Sequence, residues 1–293
     1  MLTFDVIEKQ RKKLKKLCIL CIVINIIFVS SFLLAMYSPY FFQLPICTLA
    51  VSLLIYYKRH NELKKYKEMF NEYFTIPEMN NFFDNLTYDE NKGIDEDVIR
   101  QTKMIWLWDR FYSTKYISGS YKNVHFFQSN ILLEKIKGTE DRRYIKKFKA
   151  KWMIFEFNKE FKTNLHVAEK GFKNKRMGGL FSFDNFKTVK LEYNEFNRKF
   201  NVYCEREIEA FYILTPHMME NLLKIEKHIN GKFIFGFIEN KLHICYYPTK
   251  KEKNFYTIYT KINKEKVENQ IKKEINLIVS IIDELKLNDN YFK

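Results

Sequence analysis

The chain has 293 residues, and its 50 Lys and Arg outnumber its 35 Asp and Glu, giving a formal net charge of +15. Residues 1–67 contribute +8 of that +15, which leaves +7 for the rest of the chain. The excess therefore lies beside an apolar run, which favours a membrane surface as the anionic partner and disfavours nucleic acid. The five cysteines lack the spacing of a disulfide framework, so we expect reduced thiols.

The apolar run extends from residue 17 to residue 57 and contains no Asp, Glu, Lys, Arg or His. As one helix it would be roughly 60 Å long, about twice the hydrocarbon thickness of a bilayer. Two shorter spans fit better. We predict a transmembrane helical hairpin with helices over 17–37 and 40–57. Its turn lies at Ser38-Pro39, where Ser38 suits an N-cap and proline suits a first helical turn.

Basic side chains flank the apolar run on both outer sides, and the predicted turn has none; they are Lys9, Arg11, Lys12, Lys13, Lys15 and Lys16 before it, and Lys58, Arg59, Lys64, Lys65 and Lys67 after it. The positive-inside rule then places both ends of the chain in the cytoplasm. We expect a multi-pass protein of the bacterial inner membrane, with a basic cytoplasmic N-terminus over 1–16 and a cytoplasmic domain over 58–293. A cleaved signal peptide would explain the basic start but not the second apolar stretch.

The cytoplasmic part predicts an α+β domain with a mixed, mainly antiparallel sheet and packed helices. Apolar alternation predicts strands or hairpins over 116–136, 151–157, 164–169, 188–193, 201–205, 232–247 and 255–262. The acidic stretch 84–98 is predicted to be a solvated loop. It does not fit a calcium-binding loop, because Gly93 and Arg100 occupy the wrong positions.

Helical periodicity marks three further segments. Residues 60–74 continue the second apolar span outward. In "TPHMMENLLKIEKHI" Thr215 is a suitable N-cap, with Pro216 at the first helical position. Residues 264–286 form an amphipathic C-terminal helix with Val267, Ile271, Ile275, Ile278, Ile282 and Leu285 on one face, so this helix should pack on the sheet.

The stretch "VKLEYNEFNRKFNVYCEREIEAFYILTPHMMENLLKI" over 189–225 resembles the core of a bacterial membrane-protein family, domain of unknown function 3137 (DUF3137). Further similar blocks are 109–134, 149–161 and 232–247. The resemblance implies two N-terminal membrane spans and an α+β domain. It adds no catalytic residue, because the family has no established reaction. This chain has Phe211 where the family pattern has an Arg, so an ion pair of that Arg is absent here.

Motifs with known chemistry are sparse. Cys18-x-x-Cys21 has the spacing of redox and zinc motifs but lies inside a predicted membrane helix, where packing is the simpler role. His217 and Glu220 are three residues apart, and two ligands do not make a metal site; whether they have another role is left open. The sequence has no Walker loop, no GxGxxG and no GxSxG. We therefore predict no catalytic residue, no metal and no cofactor.

Two basic stretches are candidate binding surfaces. "DRRYIKKFKAK" over 141–151 and "EKGFKNKRMGG" over 169–179 supply the candidate residues Arg142, Arg143, Lys146, Lys147, Lys173, Lys175 and Arg176. Each Lys or Arg near an anionic membrane surface contributes about 1 kcal/mol of attraction. The alternative is that both stretches are ordinary solvated surface.

These observations predict a membrane-anchored, non-catalytic module that binds lipid headgroups or an unidentified protein partner. One alternative is a membrane-bound enzyme acting on a lipid or a peptide, which a cleft with convergent polar groups would favour. Another is an accessory subunit of a transporter, which self-association in the membrane would favour. The sequence does not determine the oligomeric state.

Overall fold

The computed structural model describes residues 2–139, 142–156, 161–172, 186–250 and 256–287. The chain divides into two compact units. The helical unit comprises Met1–Met79 and Lys253–Lys272, and the sheet unit comprises Asn80–Glu252 and Lys273–Lys293.

The helical unit is built on two long antiparallel helices, α1 (Phe4–Tyr37) and α2 (Gln43–Phe70). Gln10 Nε2 donates to Glu62 Oε2 at 2.5 Å at one end of the pair. Near the turn, Ser31 Oγ lies 3.1 Å from Thr48 Oγ1. The two contacts together fix the antiparallel arrangement.

The chain reverses between residues 38 and 42. Ser38 is the C-cap of α1, with its N–H donating to Leu34 O, and a short 3₁₀ turn follows over Pro39–Phe41. Ser38 therefore ends the first helix rather than capping the second, which begins at Gln43. Pro45 lies in the first turn of α2, where a missing N–H removes no intrahelical hydrogen bond.

Among the described helices, one is long and apolar enough to cross a membrane, judged by length and composition: α1. Only 11% of its most apolar window is buried inside the structure, so its apolar side chains face outward. The apolar part of α2, residues 44–57, is roughly 20 Å long, shorter than the hydrocarbon core. The structure thus establishes a long N-terminal apolar helix, whereas the predicted second span is not established.

The charged ends of α1 and α2 enclose a small core beside residues 256–262. Tyr66 O–H donates to Thr257 O at 3.2 Å, and Arg11 Nη1 donates to Ile258 O at 2.8 Å. Glu8 Oε1 accepts from the N–H of Ile262 at 2.8 Å. The strand predicted over 255–262 is wrong for its described part, because these backbone groups bond to helix side chains and not to a neighbouring strand.

The helical unit continues past α2 as one turn of π-helix. This π-helix covers Asn71–Thr75 and leads to α3 (Ile76–Asn80). Helix therefore covers residues 60–74, as predicted.

The sheet unit contains nine described strands in the order β1-β2-β3-β4-β9-β8-β5-β7-β6, and every described pairing is antiparallel. The strands are β1 Asp84–Asp89, β2 Arg110–Tyr121, β3 Val124–Thr139, β4 Arg142–Glu156, β5 Leu165–Glu169, β6 Lys187–Val189, β7 Phe200–Cys204, β8 Lys232–Ile238 and β9 Lys241–Tyr247. The predicted α+β class and the mainly antiparallel character of the sheet are confirmed, whereas the described strands contain no parallel pair of the kind that a mixed sheet requires.

Both faces of the central strands are buried. On one face α4 (Glu96–Gln101) and the following segment bring Ile99 and Met104 against Trp152 and Ile234. The other face carries Phe233, Phe235 and Phe237 from β8, all fully buried. It faces helices α5 (Asn194–Lys199), α6 (Glu207–Ile213), α7 (Pro216–His228) and the second half of α8 (Lys264–Glu284).

The structure confirms several local predictions in this unit. Thr215 caps α7 by accepting from the N–H of Met218 at 3.3 Å. Strands β8 and β9 form the hairpin predicted over 232–247, and Glu239 in its turn has a positive φ of 52°. The loop predicted over 84–98 is wrong in its first part. There β1 forms an edge strand, and an edge strand needs only one partner, which β2 supplies.

Candidate anionic-surface site on the β3–β4 arm

The hairpin of β3 and β4 extends beyond its neighbours in the sheet. Pairing with β2 ends at Glu134, opposite Arg110, and pairing with β9 begins at Lys151, opposite Tyr246. Residues 135–139 pair with 142–146 across the hairpin, and residues 147–150 pair with 131–134. Among the described strands, 135–139 have no partner on the β2 side and 142–150 have none on the β9 side. We call residues 134–139 and 142–149 the arm.

An exposed apolar pair lies in the middle of the arm. Ile136 and Ile145 stand directly opposite each other in the β3–β4 register. Their exposed fractions are 42% and 47%, unusual for a cross-strand isoleucine pair. The N–H of Ile136 donates to Asp109 Oδ2 at 2.7 Å, and this hydrogen bond connects the arm to the segment before β2.

Basic side chains lie on both faces of the hairpin near this pair. Lys147 and Lys149 share the face of Ile145, whereas Lys135, Lys137 and Lys146 project from the opposite face. The exposed lysines of the arm are Lys135, Lys137, Lys146, Lys147 and Lys149. The acidic residue on the described part of the arm is Glu134, which is 7% exposed and lies 2.8 Å from Lys147 and 3.7 Å from Arg110. The arm therefore keeps a clear positive excess after its internal ion pairs are counted.

One cross-strand pair carries like charges. Lys135 and Lys146 are directly opposite in the register. Like charges at such positions destabilise a sheet, so an anion bound beside them would relieve the repulsion. Lys146 Nζ also lies 5.4 Å from the Trp108 ring centroid, an attractive cation–π contact.

Of the seven basic residues predicted from the sequence as candidates, four lie on the described part of the arm. Lys146 and Lys147 lie exposed on the arm, and Arg142 and Arg143 are the first two residues of β4. Lys173, Lys175 and Arg176 lie outside the described residues. Sequence reasoning missed the β3 residues Lys135, Ile136 and Lys137. It included Ile145 and Lys149 in the basic stretch 141–151 but did not single them out. Apolar and basic residues alternate in "EKIKG" and "YIKKFK". This alternation indicates a shared surface only when the two strands are known to pair.

A separate group of charged side chains is buried between the sheet and α8. Glu274 accepts from Lys115 Nζ at 2.5 Å and from Lys151 Nζ at 2.7 Å, and all three side chains are less than one-tenth exposed. Burial alone would raise the pKa of Glu274, but the charges and hydrogen bonds of the two lysines outweigh it and lower the pKa to about 2. The cluster is closed off from solvent.

The buried histidine with a perturbed pKa is also enclosed in the core. Burial lowers the pKa of His243 to about 3, helped by Lys241 and His166. Trp152 Nε1 donates to His243 Nδ1 at 3.4 Å. His243 is therefore neutral at physiological pH and acts as an acceptor inside the core.

Metal chemistry finds no support within the described ranges. No group of three or more His, Cys, Asp or Glu side chains there is placed to hold a metal ion. His217 Nε2 lies 3.3 Å from Asn221 Nδ2, one helical turn further along α7. Cys18 and Cys21 are free thiols on α1.

The sheet unit and its arm define an α+β domain attached to an apolar helix. Residues 146–287 match the model of the family described as "Protein of unknown function (DUF3137)", which confirms the predicted resemblance over this part of the chain. The match includes β5 to β9 and α5 to α8, and it leaves out the similar block predicted over 109–134.

Comparison with curated proteins gives no significant match. Among solved structures, the crystal structure of the mycobacterial trehalose monomycolate transport factor A, TtfA, is similar at 10% sequence identity and a TM-score of 0.33. The overlay covers 68% of this chain and 88% of that one. A TM-score this low does not establish a common fold.

Proposed function

We propose that this chain is a membrane-anchored, non-catalytic module that uses its arm to bind the anionic headgroups of the membrane it is anchored in. The observation that carries the proposal is the exposed Ile136–Ile145 pair with lysines on both strands around it. Exposed isoleucines with lysines nearby match a bilayer surface, where acyl chains lie below phosphate groups. The attraction grows with each lysine, at about 1 kcal/mol per side chain near the surface.

The anchor in this proposal is the α1–α2 pair, crossing the bacterial inner membrane twice with both ends in the cytoplasm. The bilayer would thin locally around the shorter apolar part of α2. Three observations support it. The apolar side chains of 19–57 are largely exposed, the turn at Ser38 is uncharged, and lysines and arginines flank both outer ends. Asn25 and Ser52, whose side chains lie 3.4 Å apart, give the two helices a polar contact within the apolar part.

Tethering makes a weak headgroup site effective. A domain held on the membrane meets its lipid ligand at a high effective concentration, so an intrinsic affinity too weak for a soluble protein suffices. The inner leaflet facing the cytoplasm is rich in anionic lipid, which is the leaflet that the proposed orientation presents to the arm.

Lysine footprinting of the wild-type chain tests the proposal. The full chain is reconstituted into vesicles of phosphatidylcholine, or of phosphatidylcholine with phosphatidylglycerol, and briefly acetylated before mass spectrometry. We expect acetylation of Lys135, Lys137 and Lys149 to fall several-fold in the anionic vesicles, and salt at about 0.5 M to restore it. Exposed lysines away from the arm, Lys187 and Lys190, should react equally in both. Equal arm reactivity in both vesicles would refute headgroup binding.

A further inference from the structure

Helix α6 carries an exposed apolar surface distinct from the arm. Ile208, Phe211 and Tyr212 are 70%, 47% and 71% exposed. Their spacing of three and four residues places them on one face of the helix, whereas Ala210 and Ile213 on the other face are buried. We call Ile208, Phe211 and Tyr212 the α6 patch. Its area is on the order of a few hundred Å², the size at which patches commonly mark binding sites.

The charges around the α6 patch have the opposite sign to those of the arm. Glu205 and Glu207 are exposed next to Ile208. Glu209 is drawn toward Arg206 at 3.9 Å. An acidic rim repels anionic lipid, so a bilayer is a poor occupant of this patch. The fitting occupant is apolar at its centre and basic around it.

We propose that the α6 patch binds the arm of a second copy of this chain. The arm supplies both required features, the Ile136–Ile145 pair and basic side chains on the same face, Lys147 and Lys149. Complementary potentials of this kind select partners and fix their orientation. The proposal does not depend on headgroup binding by the arm.

The geometry of this contact has consequences for assembly. Each copy offers one arm and one patch, so two copies can exchange arms in a symmetric dimer, or the contact can repeat head-to-tail in rings or chains. The patch is smaller than the roughly 800 Å² per partner of a stable interface, so the contact should be weak and depend on confinement to the membrane. Lipid and patch compete for the same arm, so self-association should be strongest in vesicles without anionic lipid.

Energy transfer between labelled copies tests the proposal. Donor- and acceptor-labelled full chains are mixed in phosphatidylcholine vesicles, and transfer is compared with the random-proximity level at the same density. Charge is reversed in the arm (K137E/K149E), around the patch (E205K/E207K), or in both. Lys137 and Lys149 are chosen because Lys147 already pairs with Glu134. A control reverses two exposed glutamates of α8, E265K/E268K.

We expect transfer above the random level for the wild type and the control, and transfer at the random level for either reversal alone. The fourfold variant should regain transfer, because its arm and patch are again opposite in charge. That recovery separates the contact from loss of folding, which a second pair of substitutions would not repair. Random-level transfer in the wild type, or no recovery in the fourfold variant, would overturn the proposal.

Discussion

Lys151 Nζ donates to Glu274 Oε1 at 2.7 Å, although both side chains are almost completely buried. Lys115 completes the cluster from the neighbouring part of the sheet, at a β-bulge where it has a positive φ of 60°. The bulge interrupts the β2–β3 register between Thr114 and Ile117. The cluster ties the second half of α8 to two strands of the sheet.

Removing the charge of Glu274 should destabilise the sheet unit. Glu274→Gln leaves two buried lysines without their carboxylate, and breaking a buried ion pair from one side costs about 3 to 5 kcal/mol. Urea unfolding of the full chain in detergent, followed by tryptophan fluorescence, measures the loss, because Trp152 is fully buried. Glu268→Gln on the exposed face of the same helix should change the free energy of unfolding by less than about 0.5 kcal/mol. Equal effects of the two substitutions would contradict the account.

The same cluster predicts an acid-dependent loss of stability. The pKa of Glu274 is lowered from 4.5 to about 2 in the folded chain, so its contribution is fully present above pH 4.5. The contribution is then lost as the pH falls from about 4.5 toward 2. Unfolding free energies measured across this range should fall more steeply for the wild type than for Glu274→Gln. Parallel pH profiles would show that Glu274 does not titrate in this way.

A close approach at Gly93 predicts a second sensitive position. A Cβ placed there overlaps the side chain and the carbonyl carbon of Ser113. Ser113 Oγ lies 3.0 Å from Ser129 Oγ, which accepts from the N–H of Ile94, so the neighbour has little freedom to move. Gly93→Ala should lower the free energy of unfolding by about 1 to 3 kcal/mol. Asn91→Ala, an exposed change in the same loop, is the matched control, and a larger loss in the control would count against this packing.

The proposed orientation predicts a labelling pattern. Single cysteines at Ser38 and Lys250, in a chain whose five native cysteines are replaced, are treated with an impermeant thiol reagent on intact cells. Both ends in the cytoplasm require protection at Lys250, and a turn at the far side allows labelling at Ser38. Labelling at Lys250 with protection at Ser38 would reverse the orientation.

The exposed isoleucine pair should matter for membrane contact and not for folding. Ile136→Ser with Ile145→Ser removes apolar area from positions that are more than two-fifths exposed. The free energy of unfolding should change by about 1 kcal/mol or less, since serine loses only cross-strand packing there. Protection of Lys135 and Lys149 from acetylation in anionic vesicles should weaken, because the apolar pair no longer inserts. Unchanged protection would assign the contact to charge alone.

Much of the fold follows from local patterns, and the arm does not. Phe233, Phe235 and Phe237 alternate, and the sequence places them on one face of a hairpin because strand periodicity is local. The arm depends on how far β3 and β4 extend past β2 and β9, which is a matter of pairing between distant segments. For this reason Lys146 and Lys147 stand out as a basic run, while Ile136 and Lys149 do not.

Local sequence patterns also do not predict which charged side chains are buried. Lys115, Lys151 and Glu274 belong to segments far apart in the chain, and each reads as solvated surface by itself. Only the packing of α8 on the sheet brings them together. Similarly, the apolar residues of 256–262 alternate as in a strand. The backbone of this segment instead forms hydrogen bonds with the side chains of Glu8, Arg11 and Tyr66.

The most direct test of arm-mediated lipid binding is a fluorophore at the exposed isoleucine pair. An environment-sensitive dye is attached at Ile145→Cys in the cysteine-replaced full chain, in vesicles with or without phosphatidylglycerol. With phosphatidylglycerol, the account predicts a blue-shifted, brighter emission that lipids labelled near the headgroup quench. The variant K135Q/K137Q/K149Q should lose the emission change and the quenching. The control K187Q/K190Q/K227Q should keep both. Emission that is identical in the two kinds of vesicle would contradict it.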